Sequence, residues 1–177
     1  MKKVSVIVPM YYEEEVAEEC YKRLKKVLEG LSEKYLYEII FINDGSKDKT
    51  LNILENIAQD NKNVKVIPFS RNFGHQCAVT AGLKYITGDA IVIIDADLQD
   101  PPELIPEMLK LWEDGNEVIY GKRKSREGES KFKLLTASMF YKTLNALSDV
   151  EIPKDTGDFR LVDRKVVEVI NSLPEHN

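Results

Sequence analysis

Two aspartates separated by one residue, Asp95 and Asp97, stand directly after the apolar run Ile91–Ile94. A short run without polar residues is typical of a central parallel strand that helices cover on both faces. Open α/β sheets bind their ligands at the carboxyl ends of such strands, and Mg²⁺ and Mn²⁺ prefer carboxylate oxygens together with substrate phosphates. The pattern therefore predicts a divalent cation and a phosphorylated ligand at this strand end. The alternative is a pair of solvated acids without a ligand.

Strand geometry limits how both acids can serve one ion. Residues i and i+2 of a straight strand lie roughly 6.5 Å apart, whereas Mg²⁺–oxygen distances are about 2.1 Å. We therefore expect Asp97 to contact the ion directly. Asp95 is expected to support the metal site without contacting the ion directly, or to bind a ribose hydroxyl. Because of the first role, it is counted among the candidate metal residues. His75 is expected to be a turn residue near the phosphates, because no second His or Cys stands at ligand spacing.

The bulk composition excludes several classes of protein. With 43% hydrophobic and 31% charged residues, the chain is typical of a soluble globular protein. The net charge of −5 argues against nucleic-acid binding. No run approaches the ~20 apolar residues of a membrane helix, and Cys20 and Cys77 are expected to be buried free thiols in a reducing compartment. The chain as it stands is expected to be soluble and cytosolic.

Apolar strands alternate with amphipathic helices along the chain, which predicts a doubly wound α/β sheet in one domain. The predicted strands are 4–8, 38–42, 64–69, 91–94 and 117–121, and residues 156–162 are predicted to form a turn that leads into a strand. The predicted helices span about 16–31, 51–58, 78–85, 104–112, 132–147 and 165–173, with Tyr85 and Trp112 in the core and Asp163 as the last helix cap. No strand is followed by a G-x-G-x-x-G turn or a P-loop, so the usual dinucleotide and NTPase fingerprints are absent.

Five short motifs occur in an order that identifies a family. They are Val8–Glu14, Asn43–Ser46, Ser70–Gly74, Ala81–Leu83 and Asp95–Glu103. Together they resemble the family 2 glycosyltransferases of GT-A (Rossmann-like) fold, in the branch of polyprenyl-phosphate sugar synthases that includes dolichol-phosphate mannose synthases and bactoprenol glucosyltransferases. Each motif alone is weak, but the resemblance covers nearly the whole chain. It implies a mostly parallel sheet with helices on both faces.

The resemblance also implies roles for individual residues. Pro9, Tyr11 and Glu13 would line the nucleobase pocket, with Asp44 nearby. The remaining nucleotide, metal and diphosphate positions are Arg71, Asp95, Asp97 and Gln99. The chain departs from the usual family pattern at Tyr12, where the family has Asn, and at Asn43, where it often has a second acid. Both departures concern the base pocket and leave the metal site unchanged.

A second group of residues is implied for the acceptor side. Arg123 and Arg126, in a locally basic segment, match residues that hold the diphosphate or the acceptor phosphate, although a basic run is often only a solvated face. Asp158 matches a candidate base, and Arg160 a phosphate-binding arginine. A lipid phosphate is already largely ionised, since its second pKa is about 6 by analogy with phosphorylated side chains. Asp158 could therefore orient the acceptor instead of acting as a base.

The family implies an inverting, metal-dependent transfer of a hexose, with Mg²⁺ or Mn²⁺ as cofactor. UDP-glucose is the favoured donor and GDP-mannose the next, and polyprenyl (undecaprenyl) phosphate is the acceptor. The rival interpretations are a saccharide acceptor, nucleotidyl transfer to a sugar phosphate, and a non-catalytic nucleotide-sugar-binding module. Members of this branch usually continue into membrane-associated helices. Residues 1–177 are therefore expected to be a single catalytic domain, truncated before such segments. The full-length protein would lie at the cytoplasmic face of the membrane, and homo-oligomerisation is left open.

Overall fold

A computed structural model describes residues 1–122 and 156–173 of the chain. The strands are β1 (Lys2–Met10), β2 (Tyr35–Asn43), β3 (Val64–Pro68), β4 (Ala90–Ile93), β5 (Val118–Lys122) and β6 (Thr156–Asp163). The helices are α1 (Ala17–Glu29), α2 (Thr50–Asp60), α3 (His75–Tyr85), α4 (Ile105–Glu113) and α5 (Arg164–Ser172), with a 3₁₀ turn at Pro102–Leu104. The predicted helix at 132–147 and the basic residues Arg123 and Arg126 lie outside the described residues.

The strands form one sheet in the order β3-β2-β1-β4-β6-β5. The first four are parallel, whereas β6 runs antiparallel to both β4 and β5. The predicted doubly wound, mostly parallel sheet is therefore confirmed. The sequence predicted β6 as a strand but not its place between β4 and β5.

Helices cover both faces of the sheet, as predicted. Val6, Val8 and Phe41 belong to the core on the α1 and α4 side, while Ile7 and Ile42 belong to a second core against α3 and α5. Alternate strand residues point to opposite faces, so the unbroken apolar runs fill both cores. Each helix layer therefore packs against one face of the sheet.

Local signals explain the helices that flank the site. Cys20, Leu24 and Leu28 of α1 are buried at a spacing of one helical turn. Asp163 caps α5 by accepting a hydrogen bond from the Lys165 backbone N–H at 2.8 Å, as predicted. Tyr85 was wrongly expected in the core. It is 60% exposed because the buried face at the end of α3 passes through Leu83 and Ile86 instead.

A buried carboxylate joins several strands at the end of the sheet opposite to the carboxyl ends of β1 and β2. Glu38 Oε1 accepts hydrogen bonds from Ser5 Oγ (2.7 Å) and the Thr87 N–H (2.7 Å), and Oε2 meets Lys65 Nζ (2.8 Å) and Lys3 Nζ (3.1 Å). Burial alone would raise the pKa of Glu38, but the hydrogen bonds from Lys65, Ser5 and Thr87 lower it to about 2. This network ties β1, β2 and β3 to the segment that leads into β4.

Within the described ranges, no helix is long and apolar enough to cross a membrane. Cys20 is buried as predicted, and Cys77 is only partly buried; neither forms a disulfide.

Candidate active site

An open pocket lies at the carboxyl edge of the sheet, among the loops that follow β1 to β4. It is lined by Pro9, Met10, Tyr11, Glu13, Asp44, Asn72, His75, Ala78, Asp95 and Asp97. This set contains the residues predicted for the base pocket and both aspartates of the Asp95–Asp97 motif. Parallel strands bring their carboxyl ends to one edge, so residues far apart in the sequence meet there.

The loop after β1 is fastened to the loop after β2 by three consecutive backbone N–H groups. Tyr12 N–H donates to Ser46 Oγ (3.1 Å), Glu13 N–H to Thr50 Oγ1 (2.9 Å) and Glu14 N–H to Asp48 Oδ2 (3.4 Å). In return, Glu14 accepts a hydrogen bond from the Lys49 N–H at 2.8 Å. The backbone of residues 12–14 is therefore tightly constrained where it borders the pocket.

Asp44 has a structural role as well as a place in the pocket wall. Its buried carboxylate accepts hydrogen bonds from the backbone N–H groups of Phe73 (2.7 Å) and Gly74 (2.9 Å). The next residue, Gly45, has φ +69°, and a Cβ there would lie 2.2 Å from the Arg71 carbonyl carbon. Only glycine allows the two loops to approach this closely, so Asp44 can hold the segment that leads into α3.

The Asp95–Asp97 motif lies beyond β4, which ends at Ile93. We predicted different roles for Asp95 and Asp97 from the spacing of residues in a straight strand. That spacing does not apply here, because neither residue lies in the strand. Asp97 Oδ1 accepts a hydrogen bond from the Gln99 N–H (3.0 Å), and Leu98 between them has a left-handed φ of 60°. The chain thus bends sharply through the motif.

His75 lies between the carboxylates of two predicted site residues. Its Nδ1 is 3.8 Å from Asp95 Oδ1, and its Nε2 is 3.8 Å from Asp158 Oδ2. One ligand atom from each of these three residues can be chosen so that all lie within 4.8 Å of one another. Arg160 pairs with Ile93 at the end of β4, so Asp158, two residues earlier on the antiparallel β6, falls beside Asp95.

The sequence placed His75 near the phosphates but did not reveal its position between Asp95 and Asp158. His75 was expected in a turn, whereas it is the first residue of α3. Ligand spacing along the sequence could not reveal this cluster, because the sheet assembles its edge from separate loops. The available signal was its position after β3, at the edge where the aspartates were already expected.

Negative charge is concentrated in this pocket. The pKa of Glu13 is raised by burial and by Asp97, Asp48 and Asp95. The pKa of Asp95 is also raised by burial; His75 lowers it, while Asp158 and Asp97 raise it further. A cluster of carboxylates that raise one another's pKa fits a hard divalent cation, whose charge would stabilise their ionised forms.

Among the described residues, four other predicted site residues are not part of the pocket lining: Arg71, Gln99, Asp158 and Arg160. Arg71 lies with its guanidinium carbon 4.7 Å from the centre of the Phe73 ring, and Gln99 follows the Asp97 turn. Arg160 donates to Asp158 Oδ1 at 2.8 Å, which orients that carboxylate. The roles of these residues stay predictions, as do those of Arg123 and Arg126.

Comparison with known sequences gives consistent results. A family model described as Glycosyl transferase family 2 matches residues 5–170. An uncharacterized glycosyltransferase of Bacillus subtilis is 54% identical over 173 residues, which are 98% of this chain and 53% of the relative. A prophage bactoprenol glucosyl transferase homolog of Escherichia coli is 44% identical over 175 residues, which are 99% of this chain and 56% of the relative. The chain spans about half the length of the curated relatives it matches.

Solved structures show the same fold at lower identity. A mannosyltransferase from Pyrobaculum calidifontis, in complex with GDP-Man and Mn²⁺, has a TM-score of 0.69 and 21% identity, covering 98% of this chain and 48% of that one. Glucosyl-3-phosphoglycerate synthase from Mycobacterium tuberculosis, with Mn²⁺, UDP and phosphoglyceric acid, has a TM-score of 0.66 and 21% identity, covering 93% and 57%. These similarities establish the GT-A architecture.

Proposed function

This chain belongs to glycosyl transferase family 2, and from that premise we propose that it transfers a hexose from a nucleotide sugar to a polyprenyl phosphate. The observation that carries the proposal is the pocket that gathers Tyr11, Glu13, Asp44, Asp95 and Asp97 at one sheet edge. The relatives named bactoprenol glucosyl transferases support the lipid phosphate as acceptor. They also favour glucose, and hence UDP-glucose, as the donor.

The proposed donor orientation follows the pocket wall. The aromatic face of Tyr11 and the polar Glu13 receive the nucleobase, while the aspartates face the diphosphate. Asp95 and Asp97, with His75 within reach of Asp95, would hold Mg²⁺ or Mn²⁺. When bound, this ion supplies positive charge that stabilises the departing nucleoside diphosphate.

The acceptor side is assigned to Asp158 and its neighbours. An acceptor phosphate oxygen attacks the anomeric carbon, the bond from that carbon to the diphosphate breaks, and the configuration inverts. Because the acceptor phosphate is already ionised, Asp158 needs to remove no proton; instead, its carboxylate orients the Arg160 guanidinium, which binds the acceptor phosphate. His75 lies on another side of the Asp158 carboxylate, with its Nε2 3.8 Å from Oδ2. Arg123 and Arg126 complete the proposed phosphate contacts.

This assignment also separates the rival acceptors. With a lipid phosphate, Asp158→Ala should slow transfer without abolishing it. A saccharide hydroxyl must lose a proton, so a saccharide-using enzyme should lose turnover altogether in the same variant. The acceptor lipid would bring the protein to a membrane surface, and the cytoplasmic face is where nucleotide sugars are available.

Calorimetric titration of UDP and GDP, with and without Mn²⁺, tests the donor site. We expect UDP to bind in a metal-dependent manner and Asp97→Ala to weaken that binding about 100-fold, since it removes a charged ligand. Asp60→Ala, which removes an exposed carboxylate at the end of α2, is the matched control and should bind like wild type. Binding of GDP alone would change the donor to a guanosine sugar, and binding of neither nucleotide would overturn the proposal.

A further inference from the structure

Tyr12 has an unusual backbone conformation beside the pocket. Its φ is 59°, in the left-handed region that suits glycine and asparagine but is uncommon for an aromatic residue. Among the described residues other than glycine, only Leu98 has a positive φ as well, and it lies in the Asp97 turn. Both unfavourable conformations therefore border the same pocket.

The surroundings of Tyr12 enforce this conformation. Its own N–H donates to Ser46 Oγ, and the next N–H, from Glu13, donates to Thr50 Oγ1. Strain of this kind persists only where neighbouring contacts over-determine the backbone, and it is concentrated at functional sites. The loop is therefore built to keep Tyr12 as it is.

The consequence of the conformation is an aromatic pair. The rings of Tyr11 and Tyr12 meet edge to face, with their centres 4.6 Å apart and their planes at 82°. Neighbouring residues of an extended chain point to opposite sides, so the left-handed turn at Tyr12 brings both rings to one side. Tyr11 lines the pocket, and 46% of it is exposed, so the edge-to-face contact with Tyr12 supports a ring that the core does not enclose.

We infer that Tyr12 is a positioning residue: it holds the ring of Tyr11 in the orientation that stacks on the nucleobase. Its own ring need not touch the ligand. This inference rests on the proposed function, since it assumes that a nucleobase occupies the Tyr11 end of the pocket. The inferred role also gives a reason for Tyr at a position where the related family usually has Asn.

Stability and affinity should change in opposite directions in Tyr12→Asn. Asparagine accepts the left-handed backbone, so the melting temperature should not fall and should rise by up to about 4 °C. Loss of the edge-to-face partner should weaken UDP binding about three- to tenfold. Tyr12→Phe keeps the ring and the strain, and should match wild type in both measurements. Tyr85→Asn removes another exposed tyrosine, at the last residue of α3, and should leave UDP binding unchanged.

The experiment is calorimetric titration of each variant with UDP and, separately, with pyrophosphate, both in Mn²⁺, alongside thermal denaturation. Pyrophosphate has no base, so its affinity should be the same in wild type and Tyr12→Asn. If UDP affinity is unchanged in Tyr12→Asn, the inference is wrong but the proposed function stands. The same holds if the melting temperature falls and the affinities for UDP and pyrophosphate decrease equally. Failure of wild type to bind UDP, GDP or pyrophosphate would overturn the proposed function and this inference with it.

Discussion

Replacing Glu38 by glutamine would remove one negative charge from the buried network at the end of the sheet opposite to the active site. The side chain is 3% exposed and contacts Lys3, Lys65, Ser5 and Thr87. Its pKa falls from the ordinary 4.5 to about 2 in the folded chain, net of the burial that opposes ionisation. That difference corresponds to about 3 kcal/mol of stability from the ionised form. Since glutamine resembles the protonated acid in shape, Glu38→Gln should lose about this amount at pH 7.

The pH dependence has a definite sign. The folded-state pKa of Glu38 lies below its unfolded value, so the ionised group stabilises the fold above about pH 4.5. The contribution disappears as the pH falls from about 5 towards 2, because the unfolded chain takes up the proton first. The difference between wild type and Glu38→Gln should therefore shrink from about 3 kcal/mol at pH 7 to about half of that at pH 3.

Urea unfolding followed by circular dichroism at both pH values measures this difference. Other acids whose pKa is lowered, such as Glu103 and Asp163, are present in both proteins and cancel. Glu55→Gln, at an exposed position of α2, is the control and should show no pH-dependent difference from wild type. An equal stability gap between wild type and Glu38→Gln at pH 7 and pH 3 would refute the reasoning.

Two further substitutions test the site itself. Gly45→Ala should destabilise the chain by about 2–5 kcal/mol, because it combines a left-handed φ with a Cβ placed 2.2 Å from the Arg71 backbone. Gly115→Ala is the control: Gly115 also has a positive φ (+98°), but open space surrounds its Cβ, so the substitution should cost only about 1–2 kcal/mol. If urea unfolding shows equal losses of stability in the two variants, the close approach of Gly45 to the Arg71 backbone is not the cause. His75→Ala should raise the Mn²⁺ concentration for half-maximal transfer about tenfold, because the imidazole no longer lies between Asp95 and Asp158. An unchanged Mn²⁺ dependence would remove His75 from the metal site.

The sequence predicted those parts of the site that depend on one strand and the turn after it. Asp95 and Asp97 follow a buried strand, and Asp44 follows another, so their common edge could be expected from the topology of parallel sheets. The fold class was predictable for the same reason, because alternation of strands and helices leaves few arrangements.

Features that depend on contacts between distant segments were not predictable. His75 gains its significance from Asp158, which the antiparallel β6 brings to the edge, and pairing of distant strands leaves no local signal. The left-handed φ of Tyr12 contradicts the preference of that residue type and is imposed by Ser46 and its neighbours. Both features arise from tertiary contacts, and only that of Tyr12 opposes a local preference.

The insertion of β6 between β4 and β5 has a consequence for folding during synthesis. While the chain emerges from the ribosome, the edge of β4 that faces away from β1 lacks its β6 partner until residues 156–163 have been made. Such unpaired apolar edges are prone to aggregation. The β4 edge is therefore exposed to aggregation until β6 has been synthesised and paired with it. The late strand carries Asp158 and Arg160. Completion of the sheet and completion of the proposed active site are therefore the same event, and a chain released before that point would lack both.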